Sequence, residues 1–300
     1  MGLNINVKKM LNLPDEDKSR GFFREACENL GIDASPENVA ELVIYEMTDG
    51  TRTSTDLTGD DAYFDGGMFI LRFIHILKAL GGRNLYVNVI HEGHKNRTNY
   101  AEIYRGMLRH VEVYGKYAAA NNVRLRFVGD YGQAISPDGS ENDIRQSLQK
   151  LEKLTEKNDA LTVHFMVNYS TRWAAGIGKD AFAKLPDVNM ILRHAKGYVN
   201  GDMWLFGKLD SNSFMYVQNG SSSVNFSDRQ IAYMIAVALR SMLVNRGTHL
   251  SKKYLPGEND EVKQKREVEL SMVHRSFHQG EKPKKRAVIF SSYGPEVYEF

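Results

Sequence analysis

What most constrains this chain is an alternation. Four short runs of β-branched and aromatic residues, at 41–46, 84–90, 123–128 and 161–167, are separated by helical patterns at 65–80, 99–121 and 142–157. Runs of that length and composition read as strands, and the segments between them carry apolar residues at three- and four-residue spacing. The helical patterns stop near glycine or asparagine, as at Gly81-Gly82 and Asn121-Asn122. Alternating strands and helices predict βαβ units, hence an α/β fold with a central, mostly parallel sheet flanked by helices. Ligands in such a sheet bind beyond the carboxyl ends of the strands. Further on, 214–218 and 224–226 read as short strands and 228–245 as an apolar helix. A charged helix at 258–276 and a last strand at 286–291 follow.

Composition narrows the function more than the fold. With 39 Lys+Arg against 37 Asp+Glu, the net charge is +2, too balanced for a nucleic-acid or acidic-membrane partner, so any anion must meet local basic sites. The lone Cys27 excludes an internal disulfide and a cysteine metal cage, which points to a reducing, cytoplasmic setting and a buried, inert thiol. Residues 1–12 carry no secretory pattern, and the apolar stretch 68–80 is interrupted by Arg72, His75 and Lys78, so no membrane span is expected.

Chemistry is therefore sought at the strand ends. The first strand runs into Met47-Thr-Asp-Gly-Thr-Arg52, the second into His91-Glu-Gly-His-Lys-Asn-Arg97, the third into Gly129-Asp130-Tyr131 and the fourth into Asn168-Tyr-Ser-Thr-Arg-Trp173. By itself Asp49-Gly50 is a turn sequence. Arg52, Arg97 and Arg172 form a candidate anion clamp, because planar guanidinium groups bind phosphate bidentately. Gly50, Gly66 and Gly67 would let backbone N–H groups approach a phosphate near the start of a helix at Asp65. The histidines of His91-Glu-Gly-His94 lack the spacing of a zinc-binding helix, Gly176-Ile-Gly-Lys-Asp180 lacks that of a phosphate loop, and Asp60, Asp61 and Asp65 read as loop and helix-start residues.

Taken together these segments resemble the cis-prenyltransferases (undecaprenyl diphosphate synthase-like). Asn122-Val-Arg-Leu-Arg-Phe-Val-Gly-Asp130 is similar to that family's "NVRLRxxGD" segment, Asn168-Tyr-Ser-Thr-Arg-Trp173 to "NYGGRW", and Asp49-Gly-Thr-Arg52 stands where the family has "DGNGRW". Within that superfamily the closer resemblance is to tuberculosinol/tuberculosinyl-adenosine synthase-type terpene synthases. These share a "DGTRR" turn, a "YGDY" strand end like Val128-Gly-Asp-Tyr131 and a "DMFIGFGR" stretch like Asp202-Met-Trp-Leu-Phe-Gly-Lys208. The family's later arginine pair, which binds a second diphosphate, is absent, Lys208 is the counter-charge left in that stretch, and a serine stands near the position of its magnesium-binding glutamate.

The resemblance implies the cis-prenyltransferase fold with a C-terminal helix–strand extension. In this chain that gives an N-terminal segment 1–39, a catalytic domain 40–256 and an extension 257–300. It implies an enzyme that ionises an allylic isoprenoid diphosphate of C15–C20 length, releases pyrophosphate, and quenches or cyclises the cation or hands it to a small nucleophile. Chain elongation with isopentenyl diphosphate and a non-catalytic partner subunit remain as alternatives. Asp49 and Arg52 are the expected catalytic residues, with Asp49 also the expected ligand of Mg2+. The expected diphosphate set is Gly50, Thr51, Gly66, Gly67, Asn96, Arg97, Arg172 and Lys208. Phe69, Phe73, Tyr104, Met107, Leu108 and Val111 are expected to line a hydrocarbon pocket, with homodimerisation implied by the family.

Overall fold

A computed structural model describes residues 13–47, 56–134, 136–137, 143–176, 179–193, 205, 207–208, 213–218, 226–245, 286–291 and 294–299. Helices α1 (Glu16–Leu30) and α2 (Pro36–Glu41) precede β1 (Val43–Met47), α3 (Gly59–Ala79), β2 (Asn84–His91), α4 (Tyr100–Ala120) and β3 (Val123–Val128). Then come α5 (Asp143–Thr155), β4 (Leu161–Tyr169), the short α6 (Thr171–Ala175) and α7 (Lys179–Ala183), and β5 (Met190–Arg193). The chain continues through β6 (Ser213–Gln218), α8 (Asp228–Asn245), β7 (Arg286–Ser291) and β8 (Gly294–Glu299).

Among the described residues the eight strands form one sheet in the order β3-β4-β2-β1-β5-β6-β7-β8. All pairings from β3 to β6 are parallel, and β7 and β8 add on in antiparallel fashion. Every residue of β1 is buried, as a parallel strand covered on both faces requires. This is the expected central, mostly parallel sheet flanked by helices, with β7 at the expected C-terminal strand.

Several boundaries differ from the expectation. Helix α3 starts at Gly59, six residues ahead of Asp65, because Asp60 and Asp61 supply the negative first turn that suits a helix N-terminus. Those carboxylates also reach α4, pairing with Arg105 at 2.7 Å and Arg109 at 2.6 Å. Helices α1 and α2 and strand β5 were not foreseen. Residues 224–225 and the helix expected at 258–276 lie outside the described residues, while Phe226 is a loop residue leading into α8.

Helix α1 buries Phe23, Ala26 and Cys27 in the same core as α3, α4, α5 and α8. Its contact with α8 and the Arg72–Asp228 pair at 2.6 Å hold this side together. Burial pushes the Cys27 thiol up to about 12, in keeping with an inert cysteine. No described helix is long and apolar enough to cross a membrane.

Candidate active site at the carboxyl end of the sheet

The carboxyl ends of β1, β2, β4 and β5 form one rim, since these strands are parallel neighbours. Residues 48–55, and with them Asp49, Gly50, Thr51 and Arg52, lie outside the described residues. The end of β2 turns into a 3-10 segment, Glu92–Asn96, with Arg97 as its cap; Asn96 and Arg97 are exposed. This turn is held by its histidines. His91 Nδ1 accepts from the Gly93 N–H at 3.0 Å and His94 Nδ1 accepts from the His91 N–H at 3.2 Å. Both ring protons therefore sit on Nε2. Burial, followed by His91 and Arg97, drives His94 down to about 3, so its imidazole is neutral at physiological pH.

The ends of β3 and β4 are locked to each other. Gly129 takes φ 133°, and a Cβ there would lie 2.2 Å from the Val167 carbonyl oxygen, so only glycine fits. Asn168 donates through Nδ2 to the Asp130 carbonyl at 2.9 Å. The stretch containing Asp130 is thus a brace. Beyond β4, Ser170 caps α6 by accepting from the Trp173 N–H, and Arg172 is exposed on the first turn.

At the end of β5 stands a residue the sequence reading missed. Arg193 is 3% exposed, pairs in register with Met47 at the end of β1, and lies on the rim where the chain leaves for residue 48. Its Nη1 is 4.0 Å from Met47 Sδ. A guanidinium that closes the apolar run Met190-Ile-Leu-Arg193 was the available signal. Lys208, by contrast, is 6% exposed and engaged: Nζ donates to the Ala183 carbonyl at 2.9 Å and lies 3.4 Å from Asp187. Its charge is already met on the α7 side, which corrects the expectation that it faces a diphosphate.

Against the rim lies an apolar cavity of about 100 Å³, bounded by α3, α4, α5 and strands β2 to β4. Val89, Ile90 and Val167, near the carboxyl ends of β2 and β4, form its wall on the rim side. Tyr63, Gly66, Gly67 and Ile70 line it from α3, and Ile103, Met107, His110, Val111 and Tyr114 from α4. The expected pocket residues Met107 and Val111 do line it. Phe69 and Phe73 do not: they are 1% and 0% exposed, with their ring centroids 6.2 Å apart, and Phe69 packs on Phe226 at 6.3 Å. Tyr104 and Leu108 sit one step around α4 from the lining stripe, in or against the core.

Gly66 and Gly67 also need correcting. Because α3 begins at Gly59, their N–H groups belong to helix hydrogen bonding rather than to a phosphate-facing terminus. What glycine provides here is space. A Cβ on Gly67 would fall 2.0 Å from His110 Nε2, and one on Gly106 2.6 Å from Tyr63 Cβ, so the two helices approach through these gaps.

No protein-family profile matches the chain. A curated relative, the ditrans,polycis-undecaprenyl-diphosphate synthase ((2E,6E)-farnesyl-diphosphate specific) of Pectobacterium atrosepticum, is 42% identical over 53 residues. That stretch is 18% of this chain and 19% of the relative, so the match spans about a fifth of that enzyme's length. Among solved structures, a probable undecaprenyl diphosphate synthase from Campylobacter jejuni superposes with a TM-score of 0.51 at 17% identity, covering 71% of this chain and 98% of the other. The lavandulyl diphosphate synthase of Lavandula x intermedia, solved with dimethylallyl diphosphate, gives 0.52 at 15% identity, covering 70% and 97%. The chain has the fold of these synthases.

Proposed function

We propose that this chain, folded like the undecaprenyl and lavandulyl diphosphate synthases, is an isoprenoid diphosphate-dependent enzyme that ionises a C15–C20 allylic diphosphate and ends the cation's life within its own cavity. The observation that carries this reading is the apolar, aromatic-walled cavity between α3 and α4, whose wall includes Val89, Ile90 and Val167 near the ends of the strands that lead to Arg97 and Arg172. An allylic diphosphate departs as a pyrophosphate anion while a carbocation forms, so its site needs anion donors at one end and dry space at the other. Arg97 and Arg172 are exposed at the strand ends and free to meet a mobile ligand; Arg193 adds a fixed charge between β1 and β5.

In this reading the rim arginines bind the diphosphate and gain strength as charge builds on the leaving oxygen. Arg52 and Asp49 are the residues that the sequence assigns to the diphosphate and to the reacting carbon, where Asp49 would steady the cation or orient the diphosphate. The tail enters the cavity between α3 and α4. Burial of each methylene contributes roughly 0.8 kcal/mol, so the part of the tail that the cavity encloses adds to the hold on the diphosphate. Asp49 is the residue that would hold Mg2+, and the ion would supply counter-charge to the diphosphate. No other step depends on it. The same reading expects a cytoplasmic homodimer, which sedimentation of the purified chain tests.

Arg193 favours one second reading. A buried guanidinium at the β5 end offers a place for a second diphosphate, as elongation with isopentenyl diphosphate requires. Incubation with labelled geranyl, farnesyl or geranylgeranyl diphosphate, with and without isopentenyl diphosphate and Mg2+, separates the readings. Pyrophosphate release from a single substrate is expected. Product only when isopentenyl diphosphate is added means elongation, and no turnover under any condition means a non-catalytic subunit.

A further inference from the structure

Where β2 ends, its hydrogen bonding passes from the sheet to side chains. Strands β2 and β4 shift register at the rim, once between Asn88 and Ile90 and again between Ile90 and His91. Irregularities of this kind bend a strand and re-aim the side chains beyond it. The His91 N–H donates to His94 Nδ1 at 3.2 Å, and His91 Nδ1 accepts from the Gly93 N–H at 3.0 Å. The two bonds close a reciprocal cap on the 3-10 segment, with the rings 4.2 Å apart by centroid. Gly93 belongs to the same device. A Cβ there would fall 2.7 Å from His91 Cε1, so the ring occupies the space a side chain would need.

The cap leads to Arg97. The His94 carbonyl accepts from the Arg97 N–H at 3.0 Å, and the Arg97 carbonyl accepts from the Tyr100 N–H at 3.1 Å. Three successive hydrogen bonds therefore run from the last residue of β2, through the side chain and carbonyl of His94, to Arg97 and on to the first residue of α4. Ile90 before this run and Ile103 after it both line the cavity, so the backbone of Arg97 is tied between two of the cavity's walls. The residue itself is exposed. A chain reversal alone asks for less, since one serine or aspartate cap would serve it. Burial, then His91 and Arg97, hold His94 at about 3, so its Nδ1 stays an acceptor at neutral pH.

Resting on the function proposed above, we infer that His91 and His94 are positioning residues for the diphosphate, their reciprocal cap fixing the backbone of Arg97 so that its guanidinium meets the anion through two donors at once. Two-donor binding is sensitive to orientation, and an exposed arginine on a loose turn would have to order its backbone as well as its side chain when the ligand arrives. The cap meets the backbone share of that cost during folding. Because the benefit is the same for bound substrate and transition state, it lowers KM and leaves kcat alone. The chemistry of the cap is replaceable in a telling way. Asparagine carries its Oδ1 where histidine carries Nδ1 and can accept both bonds, whereas phenylalanine keeps the ring and removes the acceptor.

The test uses the full chain and reads pyrophosphate release from farnesyl diphosphate. His91→Phe and His94→Phe should each raise KM about tenfold with kcat within about twofold of wild type, and His91→Asn and His94→Asn should bring KM back to within about threefold. In Arg97→Lys, whose flexible point charge depends less on backbone placement, adding His94→Phe should raise KM by no more than about threefold. Should the phenylalanine variants not fold, Gly93→Ala takes their place: its Cβ displaces the His91 ring, KM should rise with kcat kept, and a second change, His91→Asn, should relieve the rise. A KM unmoved by these variants, asparagine variants as impaired as their phenylalanine counterparts, or the full tenfold rise in Arg97→Lys overturns the positioning role. A proton found on either Nδ1 by nitrogen NMR at neutral pH overturns the cap and leaves the parent reading standing. Absence of pyrophosphate release from wild-type protein overturns the parent reading, and this inference with it.

Discussion

The two faces of the sheet are buried by the same means and finished differently. On one face Tyr45, Tyr86 and Tyr169 pack with Phe182, Val188 and Ile191 under α6 and α7. The aromatic contacts there are close, with Tyr169 and Phe182 centroids 5.6 Å apart, and the Tyr86 hydroxyl donates to the Pro186 carbonyl at 2.6 Å. On the other face, α3 and α4 approach through Gly67 and Gly106 yet leave a cavity among Met107, Tyr114 and Phe165. Protein interiors are ordinarily filled to crystal-like density, and the ring contacts of the first face are of that close kind. The space on the second face is therefore a feature of that face, maintained by particular residues, and it lies where the fold places ligands.

The widest separation between the faces should come from opposite changes of side-chain volume. Phe182→Ala empties a filled site and should cost about 3–5 kcal/mol in urea unfolding. Met107→Trp adds bulk where space already exists and should leave the unfolding midpoint nearly unmoved. Its effect falls on turnover instead, with kcat/KM for the allylic diphosphate lowered about a hundredfold, or about 2.7 kcal/mol of transition-state stabilisation. If Met107→Trp instead destabilises the protein as strongly as Phe182→Ala, the cavity is ordinary core and the contrast fails.

Each face also carries a histidine whose proton affinity burial lowers, which gives a comparison by pH. Burial, then Arg126 and Arg124, pull His164 down to about 3, and burial, then Arg109, pull His110 down to about 4. The sign follows from proton binding: below the ordinary histidine value of about 6.5 the unfolded chain takes up protons that the folded chain refuses. Stability is fully present above that value and is lost as pH falls toward 4 and 3. Between pH 7 and pH 5 each residue should contribute a loss on the order of 2 kcal/mol in urea unfolding. His110→Phe and His164→Phe should each flatten that slope. Flattening by His164→Phe alone would mean that His110 is hydrated, and the cavity wet.

Much of this difference between faces was legible in the sequence, but not all of it. The alternation of strands and helices gave the parallel sheet and so the rim, because period and run length are local properties. The α4 stripe was half legible, since Met107 and Val111 follow the helical spacing that His110 and Tyr114 continue. Helix α3 resisted because it is apolar on nearly every side. Phe69 and Phe73 look as suitable as Ile70, and only the position of α8 decides which face meets a core. Gly66 and Gly67 were read as phosphate contacts because the helix was started at Asp65; the signal at Gly59-Asp60-Asp61 places them mid-helix. Lys208 and Arg193 could not be placed, since Asp187 and Met47 reach them only through tertiary contact.

The smallest effect concerns how the rim serves each face. Arg193 is buried and fixed between β1 and β5, whereas Arg97 is exposed at the cap of a 3-10 turn over the cavity side. An exposed arginine that binds a diphosphate does so through two parallel N–H donors, which lysine cannot reproduce although it keeps the charge. Arg97→Lys should therefore raise KM for the allylic diphosphate by about three- to tenfold, a loss near one ordinary hydrogen bond, and leave kcat and unfolding almost unchanged. A larger fall in kcat than in affinity would place Arg97 on the leaving oxygen itself, so that the rim above the cavity takes part in ionisation as well as in binding.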